Sequence, residues 1–142
     1  MPGGDRRFEH FEHGADVGVR GHGATMAEAF EAAALAAVAV VTPPEKVRPE
    51  RSVALDVTGA DPELLLVNFL NAVVFEMAAE RMIFGYFDLR IDGLHLTGTA
   101  SGEAIDRARH EPAVEIKGAT LTLAKVAEIS PGEWTAQCVV DV

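Results

Sequence analysis

Four groups of residues in this 142-residue chain have types and spacing that chemistry could use. The first is His13-Gly14-Ala15-Asp16-Val17-Gly18, an acid between glycines that let the backbone turn sharply or approach a ligand. Asp16 can equally serve such a turn by accepting a backbone amide. The second is the stretch Cys138-Val139-Val140-Asp141-Val142. If it is a strand, Trp134, Ala136, Cys138 and Val140 share one face, and Thr135, Gln137, Val139 and Asp141 share the other. Asp141 also adjoins the carboxylate of Val142. Two negative groups so close resist joint ionisation unless a cation or a basic side chain compensates. Oxygen donors of this kind, backbone ones included, suit a hard cation such as Ca²⁺ or Mg²⁺. A solvated strand end is the plainer reading.

The third group is Glu115-Ile116-Lys117, where the acid and the lysine would share a strand face. Such a pair usually decorates a solvated surface and contributes little. It gains a role only in company, and Asp16 and Asp141 are the candidates. The fourth is Glu103, Asp106 and His110, metal-ligand types at loose spacing, with neither an HExxH nor an EF-hand pattern. Ion pairing or solvation is their plainer fate. His10, His22 and His95 have no companions, and Cys138 beside Trp134 reads as inert core. No GxSxG, phosphate loop or dinucleotide fingerprint is present, so no conventional enzyme site is visible.

These residues need elements to position them. Residues 8–12 and 17–21 read as short strands around the Gly14 turn. Thr25 and Glu28 form a capping box for a helix over 27–41, with Phe30, Ala34, Leu35 and Val38 at helical spacing and Pro43-Pro44 to stop it. Val53, Leu55 and Val57 alternate with polar residues in a strand. Asp61, Pro62 and Glu63 open a second helix that runs to about residue 80, apolar nearly all round and so predicted to lie in the core. Asp92-Gly93 is a hairpin turn between Phe87-Leu89-Ile91 and Leu94-Leu96. Residues 102–112 form a polar connection. Val114 and Ile116, alternating with Glu115 and Lys117, predict a strand. Extended structure then continues to Ile129, Pro131-Gly132 turns the chain, and 134–140 forms a last strand. The prediction is a single α+β domain over 8–142, two helices packed on a mostly antiparallel β-sheet, behind a disordered tail at 1–7.

Charge narrows the partners. A net charge of −10 repels phosphates, and Arg48, Arg51, Arg81, Arg90, Arg107 and Arg109 form no stripe. Tight direct nucleic-acid binding is not expected; a cation or a basic protein surface is the natural partner. The single cysteine excludes an internal disulfide and a CxxC site. No uninterrupted apolar run approaches the ~20 residues of a membrane span. No apolar segment follows Arg6-Arg7, so no signal peptide is expected. The expectation is a cytoplasmic protein without a membrane partner.

From about Phe8 to Val142 the chain resembles the archease family. His13 to Gly18 resembles that family's opening His-Thr-Ala-Asp-Val-Gly motif. Ala29 to Ala34 is similar to its Ala-Phe-Glu-Ala-Ala-Ala helix, and Leu65-Leu66 with Phe69-Leu70-Asn71 to its second helix. Gly102-Glu103, Asp106 and His110, then Glu115-Ile116-Lys117 and the closing Asp141-Val142, follow in the family's order. Three departures stand out: Gly14 replaces a threonine, Asn68-Phe69 replace an acid and a tryptophan, and Leu121-Thr122 replace a Tyr-His pair. The resemblance implies a non-catalytic activator of an RtcB-type RNA ligase, speeding formation of the ligase–guanylate intermediate and repeated turnover in tRNA splicing and RNA repair. It implies that Asp16 and Asp141, with Val142, bind a divalent cation, Ca²⁺ first and Mg²⁺ or Mn²⁺ as others. Lys117 would act beside it, with His13, Glu103, Asp106, His110 and Glu115 as outer candidates. The alternatives are a metal-dependent phosphoester hydrolase using Asp16, Asp141 and His110, and a chaperone or modulator of RNA-modifying enzymes.

Overall fold

The computed structural model describes residues 7–142. The tail predicted for 1–7 therefore falls almost wholly outside the described residues; the Arg7 carbonyl accepts a hydrogen bond from the His22 amide at 2.8 Å. Seven strands form two antiparallel sheets. One has β1 (Phe8–His13), β2 (Asp16–Gly23), β6 (Gly118–Ser130) and β7 (Glu133–Asp141) in the order β1-β2-β7-β6. The other has β3 (Arg51–Thr58), β4 (Met82–Asp92) and β5 (His95–Ala104) in the order β3-β5-β4. Helices α1 (Met26–Val41) and α2 (Pro62–Glu80) pack against the sheets, and a four-residue helix α3 (Arg107–His110) follows β5. The α+β class stands, with two sheets where one was expected.

The two long helices begin as their sequences dictate. Thr25 Oγ1 accepts the Glu28 amide, and Glu28 reaches back to the Ala24 amide at 3.0 Å. Asp61 Oδ1 accepts the Leu64 amide at 2.8 Å. α1 comes very close to β2 because Gly21 lacks a side chain: a Cβ there would lie 2.2 Å from the Ala33 nitrogen. The core joins Val19, Cys138 and Val140 of the four-stranded sheet to Phe30, Phe69 and the alanines of α1.

Two expectations need correction. By length and composition alone α2 could cross a membrane, with a mean hydropathy of 1.4. In the fold its buried residues run only from Leu65 to Val73, and Phe75 is 65 % exposed. Polar residues on another face engage the edge of β6: Asn71 bonds both the amide and the carbonyl of Ala119, and Glu63 accepts the Val126 amide at 3.0 Å. The helix thus closes a sheet edge that would otherwise be open to pairing. Residues 111–117 form no strand. Ile116 is buried and Val114 exposed, so these two residues do not share a face of a sheet; alternation over four residues was too short a signal.

Candidate functional site at the strand ends

The register of the four-stranded sheet decides which predicted residues meet. β2 pairs with β7 so that Val17 lies across from Val140, Val19 from Cys138 and Gly21 from Ala136. These positions face the helices. One step further along both strands, Asp16 lies across from Asp141, and alternation turns both to the opposite face. His13 pairs with Asp16 on one side, and Gly118 pairs with Asp141 on the other. His13, Asp16, Asp141 and Gly118 therefore form one row across all four strands. Lys117 adjoins this row, its amide bonded to the Asp141 carbonyl at 2.8 Å. Residues far apart in sequence meet because β7, late in the chain, inserts between β2 and β6.

Much of the rest of that outer face is paired internally, although the buried Thr135 hydroxyl has no partner among the described residues. Arg20 sits 4.7 Å from the centre of the Phe11 ring, donates to Gln137 at 2.8 Å and pairs with Glu9 at 3.3 Å. Phe11 in turn packs on Gly18, where a Cβ would come within 2.3 Å of the ring. The row at the strand ends differs. Neither the Asp16 nor the Asp141 carboxylate makes a hydrogen bond or ion pair with a described residue, and neither does the Lys117 ammonium. The turn role open to Asp16 is not taken up; Gly14 makes that turn with a φ of 60° and open space beside it. Asp16 and Asp141 are half-buried, His13 and Lys117 exposed. A shallow depression of about 400 Å³, lined by His10, Glu12 and Asp16, opens at the turn.

Whether these residues fit a cation can be judged from their donors. Two half-buried carboxylates without a partner among the described residues supply hard oxygens on one face, and the backbone of Val142 adds oxygen beside them. Among the described residues no three His, Cys, Asp or Glu side chains gather as a metal cluster. The donor set suits a hard cation but is incomplete, leaving coordination positions for water or for groups of another molecule.

Glu103, Asp106 and His110 lie elsewhere and do something else. Glu103, 5 % exposed at the end of β5, accepts the Arg48 amide at 2.9 Å, His110 Nε2–H at 2.9 Å and the Arg109 guanidinium. The His110 ring is fully buried, and its Nδ1 accepts the Asp106 amide at 2.8 Å. This pattern assigns the neutral tautomer with the proton on Nε2. The Asp106 carboxylate caps α3 through the Ala108 and Arg109 amides. Hydrogen bonding to Arg109 holds the Glu103 carboxyl down at about 2, helped by the Arg48 amide and His110 and opposed by burial. Glu103 through Oε2, Asp106 through Oδ1 and both nitrogens of His110 are engaged within the fold, so the metal candidacy of these three residues gives way to a structural one, matching the ion-paired alternative. The polar connection expected over 102–112 is the end of β5 plus α3.

Sequence reasoning missed Arg109, which also donates to the Lys46 carbonyl at 2.6 Å, and Asn71 at the β6 edge. No local signal marks either, because their partners lie far away in the chain. Of the histidines without companions, His22 bonds Glu9 and His95 bonds Asp56, both on the surface. Cys138 is buried core, and burial pushes its thiol up to about 12, which leaves it inert at neutral pH.

Comparison with known proteins follows the geometry. Residues 8–142 match the archease protein family. The chain belongs to the archease family. A protein archease from Pyrococcus furiosus is 40 % identical over 141 residues, spanning 96 % of this chain and 99 % of that one. Another from Methanosarcina mazei is 33 % identical over 147 residues, with both chains fully covered. Among solved structures, protein 1598 of Methanobacterium thermoautotrophicum superposes with a TM-score of 0.81 at 30 % identity, covering 96 % of this chain and 99 % of the other. A Thermotoga maritima crystal structure, described as an archease and possible chaperone, matches with a TM-score of 0.59 at 16 % identity, over 94 % of this chain and 96 % of the other. That last likeness speaks for the archease fold alone.

Proposed function

We propose that this archease is a non-catalytic protein cofactor of an RtcB-type RNA ligase, acting through a divalent cation bound at the row of strand ends. One observation carries the reading: the β2–β7 register, continued one step past the Val17–Val140 pair, sets Asp16 opposite Asp141, and neither carboxylate has a partner among the described residues. Charged groups kept half-buried and unpaired cost stability, so their purpose is sought outside the chain. Asp16, Asp141 and Val142 would bind the cation, Ca²⁺ first, with Mg²⁺ or Mn²⁺ as others, and Lys117 would meet negative charge on the partner or its nucleotide. The incomplete donor set favours a cation shared with the ligase. Bound there, the cation supplies positive charge that lets an acidic surface approach nucleotide phosphates; the carboxylates position it, and the strand pairing fixes their spacing.

The test is RNA ligation with the RtcB-type ligase of the same organism, GTP, Mn²⁺ and RNA ends in excess over ligase. The wild type should convert a single round into many, and Asp141→Ala should not. Equal stimulation by a folded Asp141→Ala protein would overturn the reading. The hydrolase alternative loses its base, because His110 is fully buried between Glu103 and the Asp106 amide. A chaperone role has one observation in its favour, the exposure of Leu121 at 57 % and Leu123 at 55 % on a bulge of β6. It predicts suppression of aggregation of several RNA enzymes, without dependence on Asp16 or Asp141.

A further inference from the structure

A second surface lies beside the strand-end row and contains neither of its aspartates. Between the C-terminal half of α2 and the strandless stretch after α3 runs a groove of about 710 Å³. Its size falls within the ~300–1,000 Å³ of ordinary ligand sites. Three properties of the groove constrain its occupant. Apolar side chains, Met77, Ile105 and Ile116 among them, share the walls with polar surface. Arg81 and Arg107 line it as well, against one carboxylate, Glu115. Elsewhere Arg20, Lys46, Arg51 and Arg109 are each paired with a carboxylate. The Arg81 and Arg107 side chains, like those of Arg48 and Arg90, have no such partner among the described residues, and they are the two that line this groove. In a chain of net charge −10, this is a local reversal of sign.

The third property is the backbone. The amide of Ala113 bonds the Val41 carbonyl, and that of Lys117 bonds Asp141. Between them the amides of Val114, Glu115 and Ile116 donate to no described residue. Ala113 and Lys117 donate inward, so alternation along this run sends the amides of Val114 and Ile116 the other way; unused amides beside a groove are a template for strand addition, in which main-chain bonds give affinity and alternate side chains give specificity.

We infer that this groove takes an extended, acidic and apolar peptide segment of a partner protein, which pairs with residues 112–116 and sets its carboxylates against Arg81 and Arg107. That stretch allows about five residues of pairing at ~3.3 Å each. A fatty carboxylate would satisfy the arginines and the apolar walls, but its hydrocarbon would cover the amides of Val114 and Ile116 without bonding them. The unused amides therefore favour a peptide. This surface does not depend on the cation or on the ligase reading, although the same chain stretch ends at Lys117 and couples the two regions mechanically.

The test titrates the full ¹⁵N-labelled chain with the blocked peptide Glu-Val-Leu-Val-Glu, its lysine counterpart Lys-Val-Leu-Val-Lys, a form of the acidic peptide N-methylated at leucine, and decanoate. The acidic peptide should shift the amide resonances of Val114, Glu115 and Ile116 and bind about tenfold tighter than the basic one. N-methylation should weaken it by about tenfold, one backbone bond's worth. Arg81→Gln and Arg107→Gln, with folding checked by circular dichroism, should each weaken it by about threefold. Four outcomes overturn the inference: equal binding of the two peptides, indifference to N-methylation, binding of decanoate alone, or no binding of either peptide at millimolar concentration.

Discussion

Glu103 and Asp141 are carboxylates at the ends of neighbouring sheets' strands, and their surroundings could hardly differ more. Glu103 receives three donors, from Arg48, Arg109 and His110, in a buried knot that ties β5 to α3. Asp141 faces Asp16 across a strand pair, and no described residue answers either charge. Both regions carry the residue types from which metal sites are made. What separates them is whether the fold has already satisfied the oxygens. A fully bonded carboxylate stabilises its own protein; an unanswered one keeps its binding capacity for something else.

That contrast can be broken by substitution. The largest effect on folding should come from Glu103→Ala, which leaves the buried His110 and the part-buried Arg48 amide without their acceptor; a loss of about 3 kcal/mol is expected in urea denaturation, given that Arg109 is partly solvated. The surviving folded fraction should still stimulate ligation. Asp141→Ala should do the reverse, lowering stimulated turnover at least about tenfold while stability stays within about 0.5 kcal/mol of the wild type. Matching losses of stability and stimulation in both variants would dissolve the distinction.

Acid sharpens it further. The Glu103 carboxyl sits at about 2 in the fold against 4.5 when unperturbed. Its protonation is thus opposed by the native state, so its contribution is full above pH 4.5 and is lost as pH falls towards 2. Denaturation of the wild type should show that loss across this window, and Glu103→Gln should lack it. A smaller effect is expected from tags: an extension after Val142 should lower ligase stimulation, and one at the N-terminus should not. The smallest belongs to Lys46→Ala, which breaks only the exposed 3.1 Å pair with Glu111 and should cost below about 0.5 kcal/mol.

Much of this contrast was hidden from the sequence for identifiable reasons. Local chemistry was legible: the caps at Thr25 and Asp61, the Asp92-Gly93 turn and the alternation in β3 and β7 all rest on interactions within a few residues. The acids of the strand-end row could be named from their neighbours and from family resemblance. Their meeting could not, because it depends on the register of β7 between β2 and β6, which no local pattern encodes. Glu103 misled for the same reason in reverse, since its partners Arg48 and Arg109 come from a distant loop and a helix too short to announce itself. Residues 114–117 alternate as a strand would, yet only the Lys117 amide finds a main-chain partner and no strand forms. Phe75 escaped because a helix apolar all round gives no hint of which face stays wet.

The placement of β7 has a consequence for how the protein comes into being. Of the seven strands, the last to leave the ribosome is the one on which two others must close. Until its residues emerge, β2 and β6 each present an open edge, and Asp16 waits without its counterpart. A chain interrupted between β6 and β7 keeps the residues of its helices and its three-stranded sheet but has no β7 to set against Asp16. The row at the strand ends thus exists only once β7 has emerged and paired with both of its neighbours.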